Sequence, residues 1–288
     1  MKVGFVSIFG KPNAGKSTLL NALMGEKLAI VSHKVQTTRH RIKGILTEKE
    51  YQVIFSDTPG IIEPKYKLHE KMMQAVKNSL EDADVALLLV DANDDREEND
   101  QLFNALHLKA PAIVVLNKTD AAGQAKIAEA TGFFEAKSYC KAVIAISALK
   151  KEGITALLDA VLGLLPEGQP FYEGDDLTDL PTKFFVGEMI REKIFLLYGD
   201  EIPYHATVLV QEFQEKTTLT KIRADIIVQR ETQKGIILGE GGKMIKRLGT
   251  DARRDIEAFL DRKVFLELFV KVRPKWRESD IFLREYGY

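Results

Sequence analysis

A run near the start of the chain is made of residue types that hold a polyphosphate. Gly10, Lys11, Pro12, Asn13, Ala14, Gly15, Lys16 and Ser17 match G-x-x-x-x-G-K-[ST] at every fixed position, and Thr18 continues the run. Glycine lets backbone N–H groups curl around phosphate oxygens with no Cβ in the way. A helix beginning at Ser17 would add partial positive charge from its N-terminus. Lys16 would reach the β- and γ-phosphates, and the Ser17 hydroxyl would bind Mg2+, a hard cation that takes oxygen ligands.

A phosphate loop does not choose the base. Asn117, Lys118, Thr119 and Asp120 do, because they resemble the N-K-x-D element of GTPases. A carboxylate at Asp120 accepts hydrogen bonds from the N1–H and exocyclic amine of guanine. Adenine would leave that carboxylate unpaired, a mismatch that discriminates by ~10⁴ or more in favourable cases. Lys118 would lay its stem along the base, and Asn117 would tie this loop to the phosphate loop. Ser147, Ala148 and Leu149 resemble a further guanine element, in which the Ala148 N–H would meet guanine O6. Asp57, Thr58, Pro59 and Gly60 resemble D-x-x-G. There Asp57 would hold Mg2+ through water, and the Gly60 N–H would touch a γ-phosphate that only GTP carries, which makes a switch. In the segment 30–43, Thr38 is the choice to complete the Mg2+ shell and Thr37 the alternate, since sequence does not separate neighbouring threonines. Arg39, His40 and Arg41 beside them either form a solvated face or contact phosphate or RNA. The expected ligands are GTP or GDP with Mg2+. A small-molecule kinase would have no use for Asn117–Asp120.

Lys16, Thr38 and Gly60 are the candidates to act on the reacting phosphate. The residue after Gly60, often a water-orienting glutamine, is Ile61, followed by Ile62. Neither can hydrogen-bond water. Slow intrinsic turnover, ~10⁻⁴–10⁻² s⁻¹, is therefore expected. In related GTPases an asparagine at the position of Asn13 can ligate potassium, so stimulation by K+ is expected too.

A second constellation lies near the other end. Ile236–Ile245 runs apolar residues into Gly239, Glu240, Gly241 and Gly242, then a basic helix with Lys243, Lys246, Arg247, Arg253 and Arg254. This resembles the G-x-x-G signature of KH domains, whose tight turn lets RNA backbone approach with no side chain between. The bases would neutralise phosphate and make binding salt-dependent. Ile245, Leu248, Ile256 and Phe259 suit the inner face of that helix.

These residues need scaffolding, and the apolar pattern supplies it. Strands are expected at Val3–Phe9, Gln52–Ser56, Val85–Val90, Ala112–Leu116 and Val143–Ile146, alternating with helices near Ser17–Met24, Leu68–Glu81, Glu98–Leu108, Ala122–Glu135 and Ile154–Leu164. Nearly continuous apolar strands alternating with helices mean an α/β fold with a parallel-rich sheet. Every nucleotide motif falls after a strand, where such sheets bind ligands. Residues 166–182, with four Pro or Gly before Pro181 and acids at Glu173, Asp175, Asp176 and Asp179, read as a linker. Beyond it come a helix at Lys183–Leu197, strands at Ala206–Glu212 and Thr218–Val228, the G-x-x-G turn between two helices, and a strand at Val264–Val272. That order suits an α+β KH domain of type II. The expected domains are 1–165 and 183–288. Trp276, in the tail, either stacks on a base or packs on its domain; packing is the expectation.

Composition sets bounds. The 288 residues are 45% hydrophobic and 29% charged, with a net charge of −1. Residues 1–180 hold 21 Lys+Arg and 25 Asp+Glu, residues 181–288 hold 20 and 17, so the second part is the more basic. One cysteine, Cys140, forms no internal disulfide. No run approaches the ~20 apolar residues of a membrane span, and the start lacks the pattern of a signal peptide. The five histidines show no metal-ligand spacing. A cytoplasmic monomer is expected.

Together, Gly10–Ser17, Gln36–Arg39, Asp57–Gly60, Asn117–Asp120, Ser147–Ala148 and Gly239–Gly242, in this domain order, resemble the bacterial Era GTPases over essentially the whole chain. Ile61 fits that family. The resemblance implies binding of small-subunit ribosomal RNA near its 3′ end, a role in maturation of the 30S subunit, and loose association with the inner membrane face. The alternative is a GTPase acting on a protein or membrane partner, with a purely structural C-terminal domain.

Overall fold

The computed structural model describes residues 1–174, 176–199 and 201–288; Asp175 of the acidic cluster lies outside the described residues. The chain forms two compact units, Met1–Glu63 with Met72–Asp179, and Pro64–Lys71 with Leu180–Tyr288.

The first unit is built on six strands: β1 (Lys2–Gly10), β2 (Ile42–Thr47), β3 (Tyr51–Asp57), β4 (Val85–Asp91), β5 (Ala112–Asn117) and β6 (Cys140–Ala145), in the order β2-β3-β1-β4-β5-β6. All neighbours are parallel except β2, which runs antiparallel to β3. All six residues of β5 and six of seven in β4 are buried, as strands covered on both faces require. Helices α1 (Lys16–Met24), α2 (Lys67–Asp82), α3 (Arg96–Ala105) and α4 (Gln124–Glu135) lie between them, and α5 (Ile154–Leu164) follows β6. Phe9, Leu88, Val114 and Leu116 of the sheet share one core with Val76 of α2, Phe103 of α3 and Phe134 of α4. Strand β2 escapes the apolar reading because Lys43 and Gly44 interrupt it. Gly44 is needed there, since a Cβ would stand 2.7 Å from Met24 Sδ of α1.

Residues 166–179 are strapped to this unit. Val3 N donates to Pro166 O at 3.0 Å, and Ile45 N of β2 to Leu177 O at 2.9 Å. The buried amide of Gln52 donates to Tyr172 O and accepts from Phe171 N and Tyr172 N. The Phe171 ring lies 4.8 Å from that of Phe5. Proline and glycine rule out regular structure here, but they do not rule out docking.

The second unit has α6 (Thr182–Leu197), α7 (Ile202–His205), β7 (Thr207–Glu215), β8 (Thr220–Val228), α8 (Glu231–Leu238), α9 (Lys243–Leu260), β9 (Val264–Val272) and α10 (Asp280–Glu285). Its sheet runs β7-β8-β9, with β7 antiparallel and β9 parallel to β8. Ile190 and Ile194 of α6, Ile237 of α8 and Leu248, Ala252 and Ile256 of α9 close over Ile222, Ala224 and Ile226 of β8. Ile245 packs against this core, but Phe259, on the same stripe near the end of α9, is 40% exposed beside the Phe185 ring. Trp276 is fully buried, and its indole N–H donates to His205 O at 3.0 Å. It packs on the domain. Among the described residues, no helix is long and apolar enough to cross a membrane.

Candidate functional site

The phosphate loop bridges β1 and α1, and its odd backbone angles explain its composition. Gly15, at φ +101°, sits where a Cβ would be 2.3 Å from Asn117 Nδ2. Asn13 takes a left-handed φ of +63°, which asparagine tolerates, and its Nδ2 donates to His33 O at 2.8 Å. Lys16 Nζ donates to Gly10 O at 3.0 Å and Lys11 O at 2.7 Å, so its charge is held inside the loop. Burial pushes this ammonium down to about 8, with Asp57 opposing the shift. Ala14 is buried, and Pro12 stands where a Cβ on Gly60 would come within 2.9 Å of its Cγ. Lys11 turns its side chain away to Glu98 of α3 at 2.5 Å. Thr18 is half-buried in the first turn of α1.

Three oxygens meet beside Lys16. Ser17 Oγ donates to Asp57 Oδ2 at 2.7 Å and lies 2.8 Å from Thr38 Oγ1, which itself donates to Asp57 Oδ2 at 3.2 Å. Thr37 points elsewhere, donating to Lys34 O at 2.6 Å. Asp57 is fully buried, and burial raises its carboxyl to about 6 against the hydrogen bond from Ser17 and the charge of Lys16. Its Oδ1 is buried without a hydrogen-bond partner. An orphaned carboxylate oxygen beside two converging hydroxyls suits a hard divalent cation. Thr58 turns its hydroxyl into the sheet, to Ile8 O at 2.7 Å, which leaves only its backbone for a ligand. Pro59 leads into Gly60, while Ile61 packs against the sheet core and holds no polar group near the site.

The base-side loops are locked by Asn117. Its Nδ2 donates to Ala14 O at 2.9 Å, and its Oδ1 accepts from Ala148 N at 3.0 Å. The Ala148 N–H thus lies at the same corner of the site as Asn117 and donates to it. Asp120 Oδ1 accepts from Ser147 Oγ at 2.6 Å. The Leu149 side chain is 74% exposed. Lys118, at φ +63°, pairs with Asp91 at 2.7 Å. The partners of Lys118 and Lys11, Asp91 and Glu98, lie outside the sequence motifs. Asp91 ends an apolar strand at the ligand edge of the sheet, in register with Asn117, and that was its available signal.

In the second unit, Gly239, Gly241 and Gly242 have φ of +70°, +57° and +75°. A Cβ on Gly239 would stand 2.7 Å from Met244 Cβ, whereas Gly241 and Gly242 face open space. Gly242 caps α9, whose first turn carries no acid. Glu240, Lys243, Lys246 and Arg247 are exposed around this turn. Backbone N–H groups and bases thus share one end of α9, an arrangement that suits phosphate.

Comparisons with known proteins agree with this geometry. The family model described as 50S ribosome-binding GTPase matches residues 5–118, and the KH domain model matches residues 201–277. GTPase Era of Geotalea uraniireducens is 46% identical over 288 residues, covering 99% of this chain and 97% of the relative. GTPase Era of Ruminiclostridium cellulolyticum is 44% identical, covering 100% and 97%. Among solved structures, an Aquifex aeolicus Era variant bound to GDP and AlF4− aligns with a TM-score of 0.95 at 39% identity, covering 100% of this chain and 99% of that one. Era in complex with MgGDPNP and nucleotides 1506–1542 of 16S ribosomal RNA aligns with a TM-score of 0.95 at 40% identity, with the same coverage. With a phosphate loop on a parallel-rich sheet, a G-x-x-G turn in the second unit, and relatives similar from end to end, this chain belongs to the Era family of GTPases.

Proposed function

We propose that the first unit binds and hydrolyses GTP, and that the second grips single-stranded small-subunit ribosomal RNA, so that the chain serves maturation of the small subunit in the cytoplasm. The observation that carries this is the meeting of Ser17, Thr38 and Asp57 oxygens beside Lys16, on the sheet edge where Asn117 locks the loop bearing Asp120. The family and the relative crystallised with MgGDPNP and ribosomal RNA support it.

In this reading Ser17, Thr38 and Asp57 hold Mg2+. The ion, when bound, neutralises charge on the phosphates. Lys16 moves from the carbonyls of Gly10 and Lys11 to the phosphate oxygens, and the Gly60 N–H marks the γ-phosphate. Asp120, steadied by Ser147, reads guanine. Ile61 orients no water, so turnover is slow without a partner. Asn13 Oδ1 is the proposed potassium ligand, since Nδ2 is committed to His33 O. Turnover in KCl well above that in NaCl is the expected result, and equal rates would remove this role. Gly239, Glu240, Gly241, Gly242, Lys243, Lys246 and Arg247 form the proposed RNA contact. In this reading the chain acts as a monomer that associates loosely with the inner membrane face.

Asp120→Asn tests the base assignment, because an amide can donate where the carboxylate accepts. The variant should lose GTP affinity by ~10² or more and gain affinity for xanthosine triphosphate. Wild-type protein that holds ATP as tightly as GTP would overturn the assignment.

A further inference from the structure

Lys118 carries the flexible part of the guanine pocket. Its stem has four methylenes and loses rotamer freedom when it lies along a base. A side chain ordered before the ligand arrives costs less at binding. The structure contains such an ordering contact. Lys118 Nζ lies 2.7 Å from Asp91 Oδ2, and the Asp91 side chain is only 16% exposed. Asp91 is itself fixed, since its Oδ1 accepts from Asn93 N at 3.0 Å. The turn that holds it is bolted to the same loop by two more bonds, Ala92 N to Asn117 O at 2.9 Å and Asn93 Nδ2 to Ala121 O at 3.2 Å.

A second ion pair nearby serves as a contrast. Lys11 meets Glu98 at 2.5 Å, but the Glu98 side chain is 68% exposed. Water and salt screen such a pair, and it orders little. The Asp91 carboxylate, mostly buried and held by a backbone N–H, keeps its geometry.

We infer that Asp91 is a positioning residue for guanine-nucleotide binding, holding the Lys118 side chain in the place from which it covers the base. The inference rests on the proposed GTP site. In this role Asp91 acts through Lys118.

The test is a double-mutant cycle on GDP affinity, measured by titration of the full chain. Asp91→Asn is close to isosteric and still offers an oxygen to Asn93 N, so the turn keeps its cap while Lys118 loses its charged partner. Asp91→Asn should weaken GDP about tenfold, which is about 1.4 kcal/mol. Lys118→Ala should weaken it at least as much. In the Lys118→Ala background, adding Asp91→Asn should change affinity by less than twofold. The empty Asp91→Asn protein should melt within about 2 °C of the wild type. Wild-type affinity in the single variant, losses that multiply in the double variant, or a large drop in melting would each overturn the inference. Wild-type protein that binds no GDP would instead remove the GTP site on which it rests.

Discussion

Thr37 and Thr38 have the same side chain, yet their hydroxyls go to different partners. Thr38 Oγ1 faces Ser17 and Asp57, and Thr37 Oγ1 is spent on Lys34 O. If the first is a metal ligand, Thr38→Ala should cut GTP turnover by about 10², and Thr37→Ala should cost less than about a tenth of that. Single-turnover rates at saturating Mg2+ would check it, and equal losses would sink the assignment. Charge states give a second prediction. The Asp57 carboxyl, ordinarily near 3.8, is raised to about 6 by burial. Its folded value is above its unfolded one, so the empty protein gains stability as pH falls from 6 toward 4 and loses it as pH rises back through 6. Metal binding demands the ionised form, so Mg2+-dependent GDP affinity should fall about tenfold between pH 7 and pH 5. Lys16 runs the other way. Burial lowers it to about 8, so above that pH phosphate meets an uncharged amine. Affinity should peak between about pH 6 and pH 8, and a flat profile with Mg2+ from pH 5 to pH 9 would contradict both shifts.

Elements decide how firmly such residues are held, and the strap over 166–179 shows it. Gln52 is fully buried and its amide serves Thr47, Phe171 and Tyr172. Gln52→Leu keeps the volume but strands the two backbone N–H groups and the Tyr172 carbonyl, at ~1–3 kcal/mol for each group left dry. Water reaching the freed strap would reduce that, so a loss of about 2–4 kcal/mol is expected from denaturant unfolding, with GDP affinity unchanged. An unaltered midpoint would mean that the strap is not held by this amide. The linker was legible in sequence as a place without helix or strand, because Pro166, Gly168 and Pro170 forbid them. Its docking was not, since hydrogen bonds from backbone to one distant glutamine leave no periodic trace. The parallel strands were legible because burial on both faces makes them continuously apolar. Strand β2, covered differently on its two sides and cut by Gly44, was not, and neither was the six-residue α10. Of the site, motif residues read well because backbone geometry and oxygen chemistry fix their types. Asp91 did not, since a salt bridge formed by strand register has no fixed spacing along the chain.

At the scale of the whole molecule, net charge is a poor guide to the RNA partner, and arrangement is a better one. The excess of bases in residues 181–288 is small, 20 Lys+Arg against 17 Asp+Glu. On α9, however, the three acids have partners: Asp251 lies 3.9 Å from Arg254, Asp255 pairs with Lys193, and Glu257 accepts from Val264 N at 3.0 Å. Lys243, Lys246 and Arg247 remain exposed beside the glycine turn. Three phosphate contacts on a single strand give a slope of about −2 in log affinity against log salt, at ~0.7 per contact. Raising salt from about 50 to 200 mM should then weaken binding of a ribosomal RNA 3′ fragment about 20-fold. Lys246→Gln with Arg247→Gln should flatten the slope to about −0.7, because only Lys243 is left. The glycines add a geometric arm to the same experiment. A side chain on Gly239 would collide with Met244, so its variants test folding as much as binding. Gly242 opens on free space at φ +75°, so Gly242→Asp costs the fold only ~1–2 kcal/mol of left-handed strain. It places a carboxylate where phosphate should sit. A folded Gly242→Asp protein that still binds the fragment with the wild-type affinity and slope would take the RNA off this turn altogether.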